Sequence, residues 1–314
     1  MPLRSLIVAT VCAAVAFPAV AQAAPAGTLV PDPDAEQVTA LDGTLVWVTG
    51  APGGGERLMR YRDGVTAAVE GAPVARFYRS IDLGRDRRGR LVLTYQRCAS
   101  PSRCVIRRDD LAGRRGRVRG LGVRGCTTTT APALWRTRAA YGLACRRGRV
   151  AEPRRSGLYV KTGSGAPRRM PRPSDAARFS VSDVTAADLR GTRAAAVLSD
   201  IYSYAYAIDV DRRGLVSVLA GASEGDSDQH ALGLALGTGG ALWSLTTAEH
   251  AGDPLQTVVN HLDGRCRDYE VLTAAPEAEV YPAIDLAVDG RAVYVVVPGT
   301  GIATFEFMPA RSCR

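Results

Sequence analysis

One short pattern recurs six times along the chain and limits the folds that the chain can adopt. It consists of a turn residue, usually glycine, followed by an apolar run, and it is clearest in Gly89–Tyr95. The copies begin at positions 43, 89, 137, 191, 239 and 290, so they are 46, 48, 54, 48 and 51 residues apart. A period of about 40–50 residues with several short strands per unit is typical of a β-propeller blade. The sequence therefore predicts an all-β, six-bladed β-propeller.

The two ends of the repeat predict how the ring closes. The sixth unit ends with Ile302–Met308 and lacks a fourth strand, whereas Gly27–Val30 is a spare apolar piece before the first unit. Pairing of these two segments would remove the sheet edges that invite aggregation. We expect residues 24–36 to be a lead-in that supplies the closing strand, and residues 37–314 to form a single propeller domain.

The N-terminus has the features of a signal peptide over residues 1–23. Arg4 supplies a positive charge, Leu6–Ala16 is apolar, and Ala21–Ala23 is a small-x-small cleavage motif. We expect cleavage near Ala23 and export to the periplasm, the cell envelope or the medium. No later segment has the ~20 apolar residues that a spanning helix needs, so we expect no transmembrane segment in the mature chain.

The cysteine pattern predicts disulfide bonds. Six cysteines remain once Cys12 is removed with the signal peptide, which is an even number in an oxidising compartment. The repeat register places Cys98 beside Cys104 and Cys126 beside Cys145 at neighbouring strand ends. Cys266 and Cys313 remain as the third pair. The predicted bonds are Cys98–Cys104, Cys126–Cys145 and Cys266–Cys313.

A family resemblance supports the propeller prediction. The pattern apolar-Asp-Leu-x-x-Asp-x-x-Gly-x-apolar-apolar occurs in Ile81–Leu93 and, more loosely, in Ile284–Val295. It resembles the repeat of six-bladed TolB-like propellers of exported bacterial proteins. The resemblance implies a fold and no particular activity, because the Asp and Gly of the pattern serve turns.

The sequence favours binding over catalysis. It contains no nucleophile elbow, no H-E-x-x-H motif, no EF-hand loop and no Walker A motif. We therefore expect an exported, monomeric binding protein without catalytic activity or cofactor, whose partner is an unidentified protein or envelope polymer.

One cluster in the fifth unit supports an alternative, a metal-dependent lactonase- or hydrolase-type enzyme. Its carboxylates and imidazoles would bind a divalent cation such as Ca²⁺ or polarise a substrate. The sequence favours two solvated acidic loops instead and leaves the identity of any metal unknown. The candidate residues are Glu224, Asp226, Asp228, His230, His250 and Asp253.

The charge distribution supports a second alternative, an anionic-polymer-binding module in blades two and three. Residues 85–172 contain 23 arginines and Lys161 against four acidic residues. Guanidinium groups pair well with phosphate and carboxylate. Nucleic acid is not expected, because export and the few interleaved aromatic residues argue against it. Lys161 is the only lysine, so a solvated arginine-rich surface inherited from codon bias is the interpretation that the sequence favours. The candidate residues are Arg85, Arg87, Arg88, Arg90, Arg146, Arg147, Arg154 and Arg155.

Overall fold

The structure is a computed structural model that describes residues 27–178, 183–199, 203–221, 223–224, 227–228, 230–250, 254–264, 266–273 and 281–307. The predicted signal peptide lies outside these ranges. The regular secondary structure of the described chain is β-strand, apart from one five-residue helix, α1 (Ser174–Arg178), and a 3₁₀ turn, Thr238–Gly240.

The first three repeat units form antiparallel blades. A leading strand, β1 (Gly27–Pro31), precedes them. Blade one contains β2 (Gln37–Leu41), β3 (Thr44–Gly50), β4 (Glu56–Arg62) and β5 (Val65–Ala68). Blade two contains β6 (Phe77–Arg85), β7 (Leu91–Ser100), β8 (Arg103–Asp109) and β9 (Arg115–Gly116). Blade three contains β10 (Cys126–Thr128), β11 (Ala133–Trp135), β12 (Arg138–Arg147), β13 (Val150–Ala151), β14 (Gly157–Thr162) and β15 (Arg168–Arg169).

The last three units repeat this arrangement. Blade four contains β16 (Val184–Arg190), β17 (Arg193–Ser199), β18 (Ser203–Asp209) and β19 (Gly214–Gly221). Blade five contains β22 (Ala231–Leu236), β23 (Leu242–His250), β24 (Gln256–Asp263) and β25 (Cys266–Thr273), after the short strands β20 (Ser223–Glu224) and β21 (Ser227–Asp228). Blade six contains β26 (Asp285–Asp289), β27 (Ala292–Val297) and β28 (Gly301–Glu306).

The blades form a closed ring. The first strand of each blade contacts the first strand of the next, and β26 of blade six contacts β2 of blade one. An apolar cluster fills each of the six spaces between adjacent blades. Burial of apolar side chains between blades therefore holds the ring together. The predicted all-β propeller is confirmed.

The N-terminal strand closes the ring as predicted. β1 pairs antiparallel with β28, so blade six gains its fourth strand from the other end of the described chain. Val30 of β1 is only 3% exposed and packs in the cluster between blades six and one. Asp32, just after β1, accepts hydrogen bonds from the Trp47 indole at 2.7 Å and from the Thr49 hydroxyl at 2.8 Å.

Two of the three predicted disulfides are confirmed. Cys98–Cys104 and Cys126–Cys145 each join residues directly opposite one another on paired strands. Cys266 is also disulfide-bonded, but Cys313 lies outside the described residues, so the pairing of these two stays a prediction.

The sequence predicts strands at 116–121 and, as the first strand of the third unit, at 126–131, and the structure corrects both. The predicted first strand of the third unit, 126–131, contains β10, but the strand that pairs with β6 of blade two and contacts the first strand of blade four is β11. The predicted strand 116–121 is reduced to β9, and the chain from residue 117 onward contains no strand before β10.

The ring has two faces, which we call the lower and the upper face. The lower face carries the turns between the first and second strands of each blade, such as 86–90 and 136–137. The upper face, at the opposite ends of these strands, carries connections such as 51–55 and 148–149. In the turn 86–90, Gly89 has a φ of +77°, which favours glycine. In blade three, Arg136 takes this role at φ +57°, which accounts for the missing glycine of the third repeat.

Candidate functional site

The central channel is lined by the first strands of five blades and has a volume of ≈ 260 Å³. Two of its carboxylates connect neighbouring blades. Asp188 of blade four accepts a hydrogen bond from the Leu236 amide of blade five at 2.6 Å. Asp285 of blade six accepts one from the Val38 amide of blade one at 2.9 Å. These carboxylates therefore act as structural links around the ring.

Burial changes the acidity of the channel carboxyls. It raises the pKa of Asp285 to about 7, although the Val38 and Leu286 amides oppose the rise. The pKa of Asp82 is also raised, first by burial and then by the negative charge of Asp188. Both carboxyls are therefore easier to protonate than an exposed aspartate.

Arg190 spans the channel. Its Nη2 donates to the carbonyl oxygens of Ala40 in blade one and Val288 in blade six, each at 3.0 Å. The polar side chains of the channel thus mostly hold strands together, and we place the candidate site elsewhere.

A second cavity, of ≈ 480 Å³, lies on the lower face between blades two and three. We call it the basic cleft. Its apolar part is formed by Val118, Leu121, Leu134 and Ala139. Nine basic side chains and one carboxylate also line it: Arg87, Arg88, Arg90, Arg108, Arg117, Arg119, Arg136, Arg138, Lys161 and Asp86.

Asp86 organises the turn that carries three of these arginines. Its Oδ1 accepts hydrogen bonds from the amides of Arg88 at 2.9 Å and Arg90 at 3.0 Å, as expected of an Asp that begins a turn. Its Oδ2 accepts two from the Arg90 guanidinium, at 2.9 and 2.8 Å. Partial burial alone would raise the pKa of Asp86, but the hydrogen bonds from Arg90 lower it on balance. The carboxylate is therefore ionised and offsets the charge of Arg90.

Three further cations of the cleft have partners. The Arg108 guanidinium lies 3.4 Å from Oδ2 of Asp86. Arg138 pairs with Asp211 of blade four at 2.7 Å. The Lys161 ammonium donates to the carbonyl oxygen of Gly165 at 2.7 Å.

Five arginines of the cleft are exposed and make no ion pair within the described part of the chain: Arg87, Arg88, Arg117, Arg119 and Arg136. Like charges at this density repel one another, and the repulsion is relieved when an anion binds. The geometry of the cleft is therefore suited to a ligand that carries several negative charges.

The structure places the arginines that the sequence predicts to bind an anionic polymer in different regions of the molecule. Arg87, Arg88 and Arg90 line the basic cleft, whereas Arg85 forms an ion pair with Asp42 beside the Trp135 ring and does not line it. The other four lie at or beyond the upper-face end of β12: Arg146, Arg147, Arg154 and Arg155.

Sequence reasoning assigned no binding role to Arg108, Arg136 or Arg138, although all three line the cleft. The signal that could have revealed them is their register. Each lies at the lower-face end of a strand or in a lower-face turn, as do the arginines of turn 86–90.

The backbone of the acidic cluster in blade five is partly described. β21 pairs with β23, which places Asp228 opposite Glu249 and Ser227 opposite His250. Asp226 and Asp253 lie outside the described residues. Across the ranges that the structure describes, no three His, Cys, Asp or Glu residues are grouped so as to hold a metal ion. The cation site at Glu224, Asp226, Asp228, His230, His250 and Asp253 stays a prediction.

No helix in the described ranges is both long and apolar enough to cross a membrane.

Comparison with known proteins gives similarity of shape only. No family model matches the sequence, and no curated protein is similar to it. A fungal lectin from Aleuria aurantia, described as a six-bladed β-propeller with a fucose recognition mode, has a TM-score of 0.48 and 10% identity over 88% of this chain and 92% of its own. The WD40 propeller of Doa1 has a TM-score of 0.48 and 11% identity over 89% and 95%. The propeller domain of the Pyrococcus furiosus trilobed protease has a TM-score of 0.47 and 11% identity over 87% and 81%. Similarities this low transfer no ligand or activity to this chain.

Proposed function

We propose that this chain is an exported, non-catalytic binding protein of the TolB-like propeller type, and that its ligand is an anionic polymer at the cell envelope. The basic cleft between blades two and three holds the ligand. The observation that carries the proposal is the set of five exposed arginines around one cavity that form no ion pair with any described residue.

Codon bias is a weaker explanation of this surface. It accounts for arginine in place of lysine, but it does not account for the placement of the carboxylates. Of the 31 acidic residues, 27 lie outside residues 85–172, and among the described residues only Asp42 and Asp211 of these form ion pairs with arginines of that range. Segregation of charge on this scale favours a role in binding.

The chemistry of the cleft supports an anionic ligand. Guanidinium groups donate paired hydrogen bonds to phosphate and carboxylate, and they keep their charge at any physiological pH. Several such groups around one cavity match a chain with repeated anionic groups better than a single small anion.

The test measures binding of fluorescent long-chain polyphosphate and of fluorescent polyglutamate by anisotropy. The double variant Arg88→Gln/Arg119→Gln removes two unpaired charges of the cleft. We expect it to weaken binding of the preferred polymer about tenfold, since each exposed charge contributes somewhat under 1 kcal/mol.

The matched control is Arg212→Gln/Arg291→Gln, which removes two exposed arginines in lower-face turns of blades four and six. It should bind within about twofold of the wild type. Failure of the wild type to bind either polymer, or an equal loss in both double variants, contradicts the proposal. Export is tested separately by sequencing the N-terminus of the secreted protein, which should begin just after Ala23.

A further inference from the structure

The segment that leads from blade two into blade three, residues 117–125, climbs along blade three from the lower face to the upper face. A Cβ atom on Gly120 would lie 3.3 Å from the Lys161 ammonium, near the lower end of β14. The carbonyl oxygen of Leu121 accepts a hydrogen bond from the Tyr141 hydroxyl at 2.9 Å. Further along, the carbonyl oxygen of Gly125 accepts one from the Arg146 amide at 2.8 Å. The order of contacts along the segment thus follows the order of residues along β12.

Basic residues lie at both ends of this segment. Arg117 and Arg119 lie in the basic cleft at its lower end, with Lys161 beside Gly120. Arg124 lies at its upper end, where the Arg155 guanidinium donates to the Arg124 carbonyl oxygen at 2.6 Å. We call the segment together with these two groups of cations, one in the cleft and one at the upper face, the basic track.

The upper end of the track is as poorly neutralised as the cleft. Arg155 pairs with Glu152 at 2.7 Å. Its exposed neighbours have no ion pair in the described ranges: Arg124, Arg146, Arg147 and Arg154. The disulfide Cys126–Cys145 fixes the end of the segment to β12 beside these arginines.

The length of the track follows from strand geometry. β12 contains ten residues, from Arg138 at the lower face to Arg147 at the upper face. At about 3.3 Å per residue, its ends are roughly 30 Å apart. An anion that fills only the cleft therefore cannot reach Arg146 and Arg147.

The placement of two groups of cations, one at each end of the segment, decides among ligand shapes. A membrane surface is flat and contacts one face of a disc, which leaves the cations of the other face unused. A compact anion occupies the cleft alone. A linear polyanion longer than β12 can reach both groups of cations.

We propose that the ligand of the basic cleft is a linear polyanion that runs along the basic track and contacts the protein from the lower face to the upper face. This inference rests on the proposed function, because it requires that the cleft bind anions, and it adds the length and path of the ligand.

The test compares two probes with two variants. The probes are tripolyphosphate, which is much shorter than the track, and long-chain polyphosphate, which exceeds it. The lower variant is Arg88→Gln/Arg119→Gln, and the upper variant is Arg146→Gln/Arg147→Gln. All four side chains are exposed, so both variants are expected to fold, and matching circular dichroism spectra and thermal midpoints check this.

We expect each variant to weaken long-chain polyphosphate binding about tenfold, and the quadruple variant to weaken it about a hundredfold. Tripolyphosphate should bind more weakly than the long chain and should lose affinity in the lower variant alone.

The alternative results separate this inference from the proposed function. If the upper variant binds long-chain polyphosphate as the wild type does, the ligand stays within the cleft and the track is wrong, while the proposed function stands. If the wild type binds neither probe nor polyglutamate, the proposed function itself fails. Binding to anionic vesicles that depends on one face only, with no binding of free polymer, also overturns the track and indicates a membrane surface as the ligand.

Discussion

Asp285 links blade six to blade one, and its ionisation should set part of the pH dependence of stability. Burial raises its pKa from 3.8 to about 7 in the folded protein. A carboxyl whose pKa is higher in the folded than in the unfolded protein binds more protons when folded. The free energy of unfolding therefore falls as the pH rises from the unfolded pKa through the folded one. This sign is opposite to that of a salt-bridged aspartate.

The magnitude follows from the same pKa values. Between about pH 5.5 and about pH 8.5, ionisation of Asp285 should lower the free energy of unfolding by about 2 kcal/mol. Asp285→Asn removes this ionisation. The substitution costs something at every pH, because the amide nitrogen cannot accept a hydrogen bond as the carboxylate does from the Val38 and Leu286 amides. That cost does not change with pH.

The assay is urea denaturation of the wild type and Asp285→Asn at both pH values. The difference in unfolding free energy between the two proteins cancels the other titrating groups. We expect the variant to gain about 2 kcal/mol relative to the wild type on going from the lower to the higher pH. Asp63→Asn, at a residue whose side chain is 88% exposed, is the control and should show no such change. A pH-independent difference for Asp285→Asn would refute the reasoning.

Three further changes test the fold. Replacing both Cys126 and Cys145 by serine should lower the free energy of unfolding by about 3 kcal/mol, because the bond spans 19 residues; equal stability of the reduced and oxidised wild type in urea would contradict this. Gly84→Ala should lower the thermal midpoint, because the added Cβ would lie 2.1 Å from the carbonyl oxygen of Leu134 in blade three; an unchanged midpoint in calorimetry would show that the two blades are not in contact there. Val30→Asp should cost about 3 kcal/mol or more by placing a charge between blades six and one, and wild-type stability in urea would argue against ring closure by the N-terminal strand.

Much of the fold follows from the sequence because each blade repeats the same local rules. The spacing of turn and strand predicts the blades, and the missing fourth strand of the sixth unit predicts the closing role of β1. The predicted first strand of blade three, 126–131, was wrong because a side chain replaces one of the backbone hydrogen bonds to β12. The Thr130 hydroxyl accepts a hydrogen bond from the Gly142 amide at 2.9 Å, and Pro132 has no amide hydrogen to donate. Such local hydrogen bonds leave no periodic pattern of apolar residues in the sequence.

The candidate site was only partly predictable, for a geometric reason. Arg138 and Arg146 are close in sequence, yet they lie near opposite ends of β12 and therefore at opposite faces. Conversely, Arg88, Arg119 and Arg136 are far apart in sequence and meet at one cleft. Charge counted along the sequence identifies the basic region, but the strand register is needed to assign each cation to a face.

The most direct test of the central claim is the salt dependence of polyanion binding. The affinity of the wild type for long-chain polyphosphate should fall steeply as salt increases, since binding releases counterions from the polymer. In a plot of log affinity against log salt, Arg88→Gln/Arg119→Gln should reduce the slope by about 1.5, the share of two cations. Binding that does not depend on salt, or a slope that the cleft variant leaves unchanged, would contradict the account.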